Sequence, residues 1–256
     1  MPKFAANLTM MFTEHDFLDR FGAARQAGFD AVEYLFPYDH PPEAIAERLQ
    51  AHGLTQALFN LPPGNWAAGD RGLAALPERA EEFRASIDTA LRYAEATGVG
   101  RVHMMSGLAP RQEPAAQEAY REALRRLCDA AGAKGLDVVI EPINSRDIPG
   151  YFLNDFAFAA ELIDALGLPN LKLQFDIYHR QILHGDVLMG LRELAPIIGH
   201  VQIAAVPDRH EPGSGELDDI RVLRALDALG YDGYVGCEYH PAGRTEEGLG
   251  WMRAFA

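Results

Sequence analysis

Short apolar runs alternate with helix-patterned segments eight times along this chain, and that rhythm restricts it to a parallel sheet covered by helices. FAANL (4–8) is followed by Phe17, Leu18, Phe21 and Ala24 at helical spacing, a stop at Gly28, and then AVEYL (31–35). The pattern predicts a helix near 42–52, a strand at LTQALF (54–59), a helix carrying Phe83, Ile87, Ala90, Leu91 and Ala94, and a strand at RVHMM (101–105). It continues with a helix bearing Tyr120, Leu124, Leu127 and Ala131, the strand LDVVIE (136–141), an Asn154-capped helix and the strand LKLQFD (171–176). A helix near 182–194, the strand GHVQI (199–203), a helix opened by Asp218 and Asp219 and stopped by Gly230, and YVGCE (234–238) complete it. Eight short, fully apolar strands point to an α/β fold, a (β/α)₈ TIM barrel in a single catalytic domain over 1–256. Strand pattern alone would also suit an open, doubly wound sheet.

Length agrees, since 256 residues fit a barrel of roughly 200 to 250 residues in one unit. The 37 acidic against 23 basic residues give a net charge of −14, which repels phosphate backbones and anionic lipid at long range. No nucleic acid and no membrane partner is expected. The opening MPKFAANLTM is too short and polar for a secretory core, so a cytoplasmic location is expected. Cys128 and Cys237 lack a CxxC spacing and read as buried small hydrophobes, and the Asn7-Leu8-Thr9 sequon as a chance match.

Where polar residues interrupt the strands is more informative. Barrel chemistry sits at the carboxyl ends of strands, and four successive strands carry an oxygen-bearing side chain there: Glu141, Asp176, Gln202 and Glu238. Each one alone reads equally well as the N-cap of the next helix or as half of an ion pair. Four in register on consecutive strands favour a shared cation, because isolated acids at the ends of apolar runs are costly to bury. Carboxylate and amide oxygens suit Mg²⁺ or Mn²⁺, whereas zinc is less favoured without His or Cys ligands.

The stretches FAANLTMMF (4–12), AGFDAVEYLFPYD (27–39), LFNLPPGNWAAGDRG (58–72), EPINSRDIPGYFL (141–153), QFDIYH (174–179), VQIAAVPDRHEPGSGE (201–216) and GCEYHPAGRTEEGLGW (236–251) resemble the hydroxypyruvate isomerase family. That family belongs to the xylose-isomerase-like barrels, whose members include 2-oxo-tetronate isomerases and ketose 3-epimerases. The resemblance spans nearly the whole chain. It implies that Glu141 and Glu238 are the catalytic acid and base, and that with Asp176 and Gln202 they hold the metal. It places His179 and Arg209 in contact with substrate, and Asn7 and His103 complete the candidate substrate-binding set. Position 240 is His where the family pattern carries Lys or Arg, which leaves recognition of the substrate carboxylate open.

Such an enzyme converts hydroxypyruvate to tartronate semialdehyde by moving a proton between neighbouring carbons through an enediolate. A divalent cation stabilises the charge that develops on two adjacent oxygens, and two opposed glutamates move the proton. The same site would serve a 2-oxo-tetronate isomerase or a ketose 3-epimerase. A phosphodiesterase of the endonuclease IV kind shares the barrel but calls for a His-rich zinc centre and a basic groove, and a barrel that only binds ligand is the remaining reading. No GxGxxG, P-loop or GxSxG elbow supports nucleotide or serine chemistry. Phe36, Phe59 and Trp66, after the second and third strands, are expected to form a lid. Trp66 reads equally well as an interface anchor in a homo-oligomer. Arg209 with PGSGE would also suit a phosphate, while His200 and His210 have no assigned role.

Overall fold

A computed structural model describes residues 1–255. Eight parallel strands, β1 (Lys3–Asn7), β2 (Ala31–Tyr34), β3 (Thr55–Phe59), β4 (Arg101–His103), β5 (Asp137–Ile140), β6 (Leu171–Asp176), β7 (Ile198–Ile203) and β8 (Tyr234–Cys237), pair in the order β3-β2-β1-β8-β7-β6-β5-β4. Because β1 lies between β2 and β8, the sheet curls on itself and the open, doubly wound alternative is excluded. Its two ends meet through one bridge, Asn60 beside His103, where the Leu61 amide donates to the His103 carbonyl at 2.9 Å. The result is a TIM barrel in one domain.

Between strands run α1 (Phe17–Gln26), α2 (Pro42–His52), α3 (Ala80–Thr97), α4 (Pro114–Gly132), α5 (Phe156–Leu166), α6 (Ile177–Leu183), α7 (Val187–Leu194) and α8 (Asp219–Ala228). Apolar residues at three- and four-residue spacing bury the expected face of α3 through Phe83, Ile87, Ala90, Leu91 and Ala94. Two local expectations are corrected. The cap of α5 is Asp155, which accepts from the Phe158 amide at 3.0 Å, rather than Asn154. The helix expected over 182–194 is two helices, α6 springing directly from β6 and α7 beginning after Gly185 (φ 60°) and Asp186 (φ 43°), whose left-handed backbone cannot continue an α-helix.

The strands are also not uniformly apolar. Alternate residues such as Val32, Val138, Ile140, Leu173, Phe175, Val201, Ile203 and Val235 face outward and form the main core with the helices. The inward positions hold a small alanine cluster, Ala5, Ala31 and Ala57, and a buried polar layer containing Asn7, Glu33, His103, Gln174, Asp176, His200 and Gln202. Hydrophobic packing thus forms a ring around the barrel, and the upper interior is polar, with hydrogen bonds centred on Glu33. Cys128 and Cys237 are free and buried as expected, with burial pushing the Cys128 thiol up to about 12. Among the described residues, no helix is long and apolar enough to cross a membrane.

Candidate active site

The carboxyl ends of the strands open into a cavity of about 460 Å³ whose walls include Glu141, Glu238, His179, Arg209, Trp66 and Arg71. That volume falls in the usual small-molecule range of roughly 300 to 1,000 Å³. Glu141 follows β5 and Glu238 follows β8, and both are almost fully buried. Burial, then the neighbouring charges of Glu238 and Asp176, holds the Glu141 carboxyl well above the usual carboxylate range. Burial also pushes Glu238 up to about 8, against the opposing pull of the Arg209 guanidinium. Asp176 rises to about 6 for the same first reason. One Asp176 oxygen caps α6, accepting from the Tyr178 amide at 2.8 Å; the other, Oδ2, is left for the site.

Arg209 neutralises part of this charge. Its backbone sits at φ 57°, uncommon for a residue with a side chain, and is pinned by its amide donating to Ala205 O at 2.9 Å and its carbonyl accepting from the His240 amide at 2.9 Å. The guanidinium donates to Glu238 Oε2 at 2.5 Å and to Asp147 Oδ2 at 3.1 Å, and lies 3.7 Å from Asp176 Oδ2. It stacks over the Tyr178 ring, with Cζ 4.9 Å from the centroid, while the Tyr178 hydroxyl donates to Asp147 Oδ1 at 3.2 Å.

His179 has a defined tautomer. The Asn144 side-chain oxygen accepts from the amides of Arg146 and Asp147, both at 2.9 Å, so the Asn144 Nδ2 must be the group 2.7 Å from His179 Nδ1. The ring accepts there and carries its proton on Nε2. That N–H faces Asp176 Oδ2 at 3.5 Å and Glu141 Oε1 at 3.8 Å. Burial and Arg209 hold the imidazole neutral, well below its ordinary value.

Beneath the cavity floor, Glu33 organises the donors. Its carboxylate accepts from Asn7 Nδ2 at 3.0 Å and Gln202 Nε2 at 2.8 Å, and lies 2.7 Å from His200 Nε2. A carboxylate only accepts, so Gln202 must turn its amide nitrogen to Glu33 and its oxygen away, where Gln174 Nε2 donates to it at 2.6 Å. Gly236 of β8 leaves the space, because a Cβ there would overlap the Glu33 carboxylate.

Three buried carboxyl groups share one guanidinium, and Glu141 Oε1 and Asp176 Oδ2 have no hydrogen-bond partner. One donor atom each from Glu141, Asp176 and His179 lie within 4.8 Å of one another. Hard, unpartnered oxygens fit a divalent cation such as Mg²⁺ or Mn²⁺. With its proton on Nε2, His179 presents a donor to this group, which leaves the free oxygens of Glu141 and Asp176 as the pair that would hold such an ion.

The expected residues divide by depth. Glu141, Glu238, His179, Arg209 and His103 reach the cavity. Asp176, Gln202 and Asn7 lie beneath it, and the Asn7 amide is used by Glu33 and, at 3.4 Å, by Glu238 Oε1. Phe36 and Trp66 meet at the mouth with ring centroids 5.1 Å apart, whereas Phe59 is buried against Tyr38 and is not part of a lid. Sequence reasoning missed Glu33, Asn144, Asp147, Gln174 and Tyr178. Gln174 did leave a trace, with Lys172 and Asp176 at period two in β6, and Glu33 stood out as a lone acid in the apolar run of β2.

The xylose isomerase-like TIM barrel family model matches residues 21–255. A 2-oxo-tetronate isomerase of Cupriavidus necator is 53% identical, covering 100% of this chain and 99% of its own. A hydroxypyruvate isomerase of Escherichia coli is 43% identical over 98% of both chains. A solved structure described as an AP endonuclease of family 2 from Brucella melitensis superposes with a TM-score of 0.97 at 46% identity, covering 100% of this chain and 99% of that one. With the fold, the polar strand ends and these relatives in agreement, the chain belongs to the xylose isomerase-like TIM barrel family, among its isomerases of the hydroxypyruvate and 2-oxo-tetronate type.

Proposed function

We propose that the protein isomerises a four-carbon hydroxy-carbonyl acid, 2-oxo-tetronate to 3-oxo-tetronate, through an enediolate. The observation that carries this is that two buried glutamates, Glu141 and Glu238, open on one cavity beside a fixed imidazole N–H and an arginine. Glu238, held by Arg209 at 2.5 Å, is the more readily ionised and removes the proton from C3. Glu141, whose carboxyl is pushed up by burial and by the neighbouring Glu238 and Asp176 against the opposing pull of Arg209, delivers a proton to C2. The hydroxyl proton passes from O3 to O2, so the product is an isomer with no atom lost. His179 donates from Nε2 to the substrate oxygen that gains charge. A divalent cation held by Glu141 and Asp176, with Glu238 and Gln202 as further oxygen donors, would supply electrostatic stabilisation of the two adjacent oxygens.

The 53% identical relative favours the four-carbon acid. The 43% identical hydroxypyruvate isomerase supports the three-carbon acid, giving tartronate semialdehyde, as the second reading. The test is to incubate Mn²⁺-loaded protein in deuterated water with both 2-oxo-tetronate enantiomers, hydroxypyruvate and free ketoses, and to follow deuterium entry and product by NMR. Turnover of 2-oxo-tetronate with the highest kcat/KM is expected. Exchange confined to uncharged ketoses would overturn the reading in favour of an epimerase.

A further inference from the structure

We infer that Arg71, on the loop between β3 and α3, is the residue that binds the substrate carboxylate and sets the preference for acids. This rests on the isomerase reading above and names a subsite within it.

Arg71 lines the same cavity as Glu141 and Glu238. Its guanidinium lies over the Trp66 ring, with Cζ 3.8 Å from the centroid, and one terminal nitrogen donates to the carbonyls of Trp66 at 3.1 Å and Asp70 at 2.7 Å. No carboxylate among the described residues forms an ion pair with it, although acids outnumber bases 37 to 23 in this chain. The adjacent Asp70 is already engaged, by Arg79 at 2.8 Å and the Asn65 amide at 2.6 Å. Nε and the second terminal nitrogen of Arg71 are therefore left with two parallel N–H groups, the fork that a carboxylate accepts from in bidentate fashion.

The loop is rigid where this matters. The Arg71 carbonyl accepts from the Gly107 amide at 3.1 Å, Gly72 bridges Ser106, and the Ala75 amide donates to Ser106 O at 2.7 Å. Gly72 sits at φ 107°, and a Cβ there would overlap the Met105 carbonyl, so the two segments are in direct backbone contact. Such a mounting presents the guanidinium without an ordering cost on binding. The other basic groups at the cavity are less suited. Arg209 is taken up by Glu238 and Asp147, and His240 is held below its ordinary value by burial and by Arg209, hence neutral.

The experiment compares wild type with Arg71→Met and Arg71→Lys. Calorimetric titration with D-glycerate, an unreactive hydroxy acid, reads the subsite without turnover, and Mn²⁺ titration reports the integrity of the centre. Glycerate affinity should fall about 10- to 100-fold in Arg71→Met, the range for a lost charge-assisted bidentate pair, and recover in part in Arg71→Lys. Turnover of the acid should show the loss in KM with kcat kept within a few-fold. Unchanged glycerate affinity, or a parallel loss of Mn²⁺ affinity in both variants, would overturn the inference. Loss of glycerate binding in Arg71→Met, with no acid turned over by wild type, would sustain the subsite and refute the isomerase reading. Turnover by Arg71→Met at the wild-type KM would do the reverse.

Discussion

Glu33 makes no contact with the cavity, yet it dictates which way the Gln202 amide points. Groups that orient metal donors from behind typically change affinity by about 10- to 100-fold when altered. Replacing Glu33 by Gln provides an amide that can donate as well as accept, so Gln202 loses its fixed orientation. Mn²⁺ affinity of Glu33→Gln, measured by calorimetry, should fall within that range, and wild-type affinity would show the network to be inert. For the pair proposed to move the proton, Glu141→Gln or Glu238→Gln should cut deuterium exchange into substrate by about 10²- to 10⁴-fold, the contribution of a general acid or base. Near wild-type exchange in either variant would remove that residue from the chemistry. At this scale the sequence was legible where side chains end strands, since barrels place chemistry there. Glu33, Gln174 and His200 lie one layer lower, where a polar residue within a strand signals only a face until its cross-barrel partners are known.

Elements were legible where periodicity ran long. All eight strands fall within two residues of the expected runs, because each is a short apolar stretch bounded by turn residues. The α6–α7 break was hidden, since HGD reads as an ordinary polar stretch until Gly185 and Asp186 are found in left-handed backbone. Asn154 and Asp155 are equally good caps by type, and only the Asp155 bond to the Phe158 amide separates them. Gly72 is the position at which an element depends on one residue. Gly72→Ala combines a positive φ with overlap onto the Met105 carbonyl, strain of about 1 to 3 kcal/mol. It should lower Tm by several degrees in calorimetry, whereas Gly69→Ala, also at positive φ but facing open space, should cost less. Equal effects at both would show that backbone conformation, not the close approach, governs the loop.

Across the whole molecule, the polar interior makes stability depend on pH and on cations. Glu238, raised to about 8, and Asp176, raised to about 6, lie above their unfolded values, as Glu141 does. Stability from such groups is fully present below their unfolded pKa values and is lost as pH rises through the folded ones. Surface acids held low, such as Asp70 and Asp155, change at more acidic pH and leave this window alone. In chelator, Tm should therefore decline from pH 5 to pH 8, and Mn²⁺ should raise it most at pH 8, where protons compete least with the cation for the carboxylates. A Tm in chelator that rises over this interval would contradict the charge balance described for the centre. The junction of β3 with β4 has a mechanical corollary. The strands themselves meet there at a single bridge, so the seam is closed largely by the segments that follow them, through the Gly107 amide on Arg71 O and the Ala75 amide on Ser106 O. Because Asn60 and His103 border the cavity, any change in that closure is felt directly in the cavity wall.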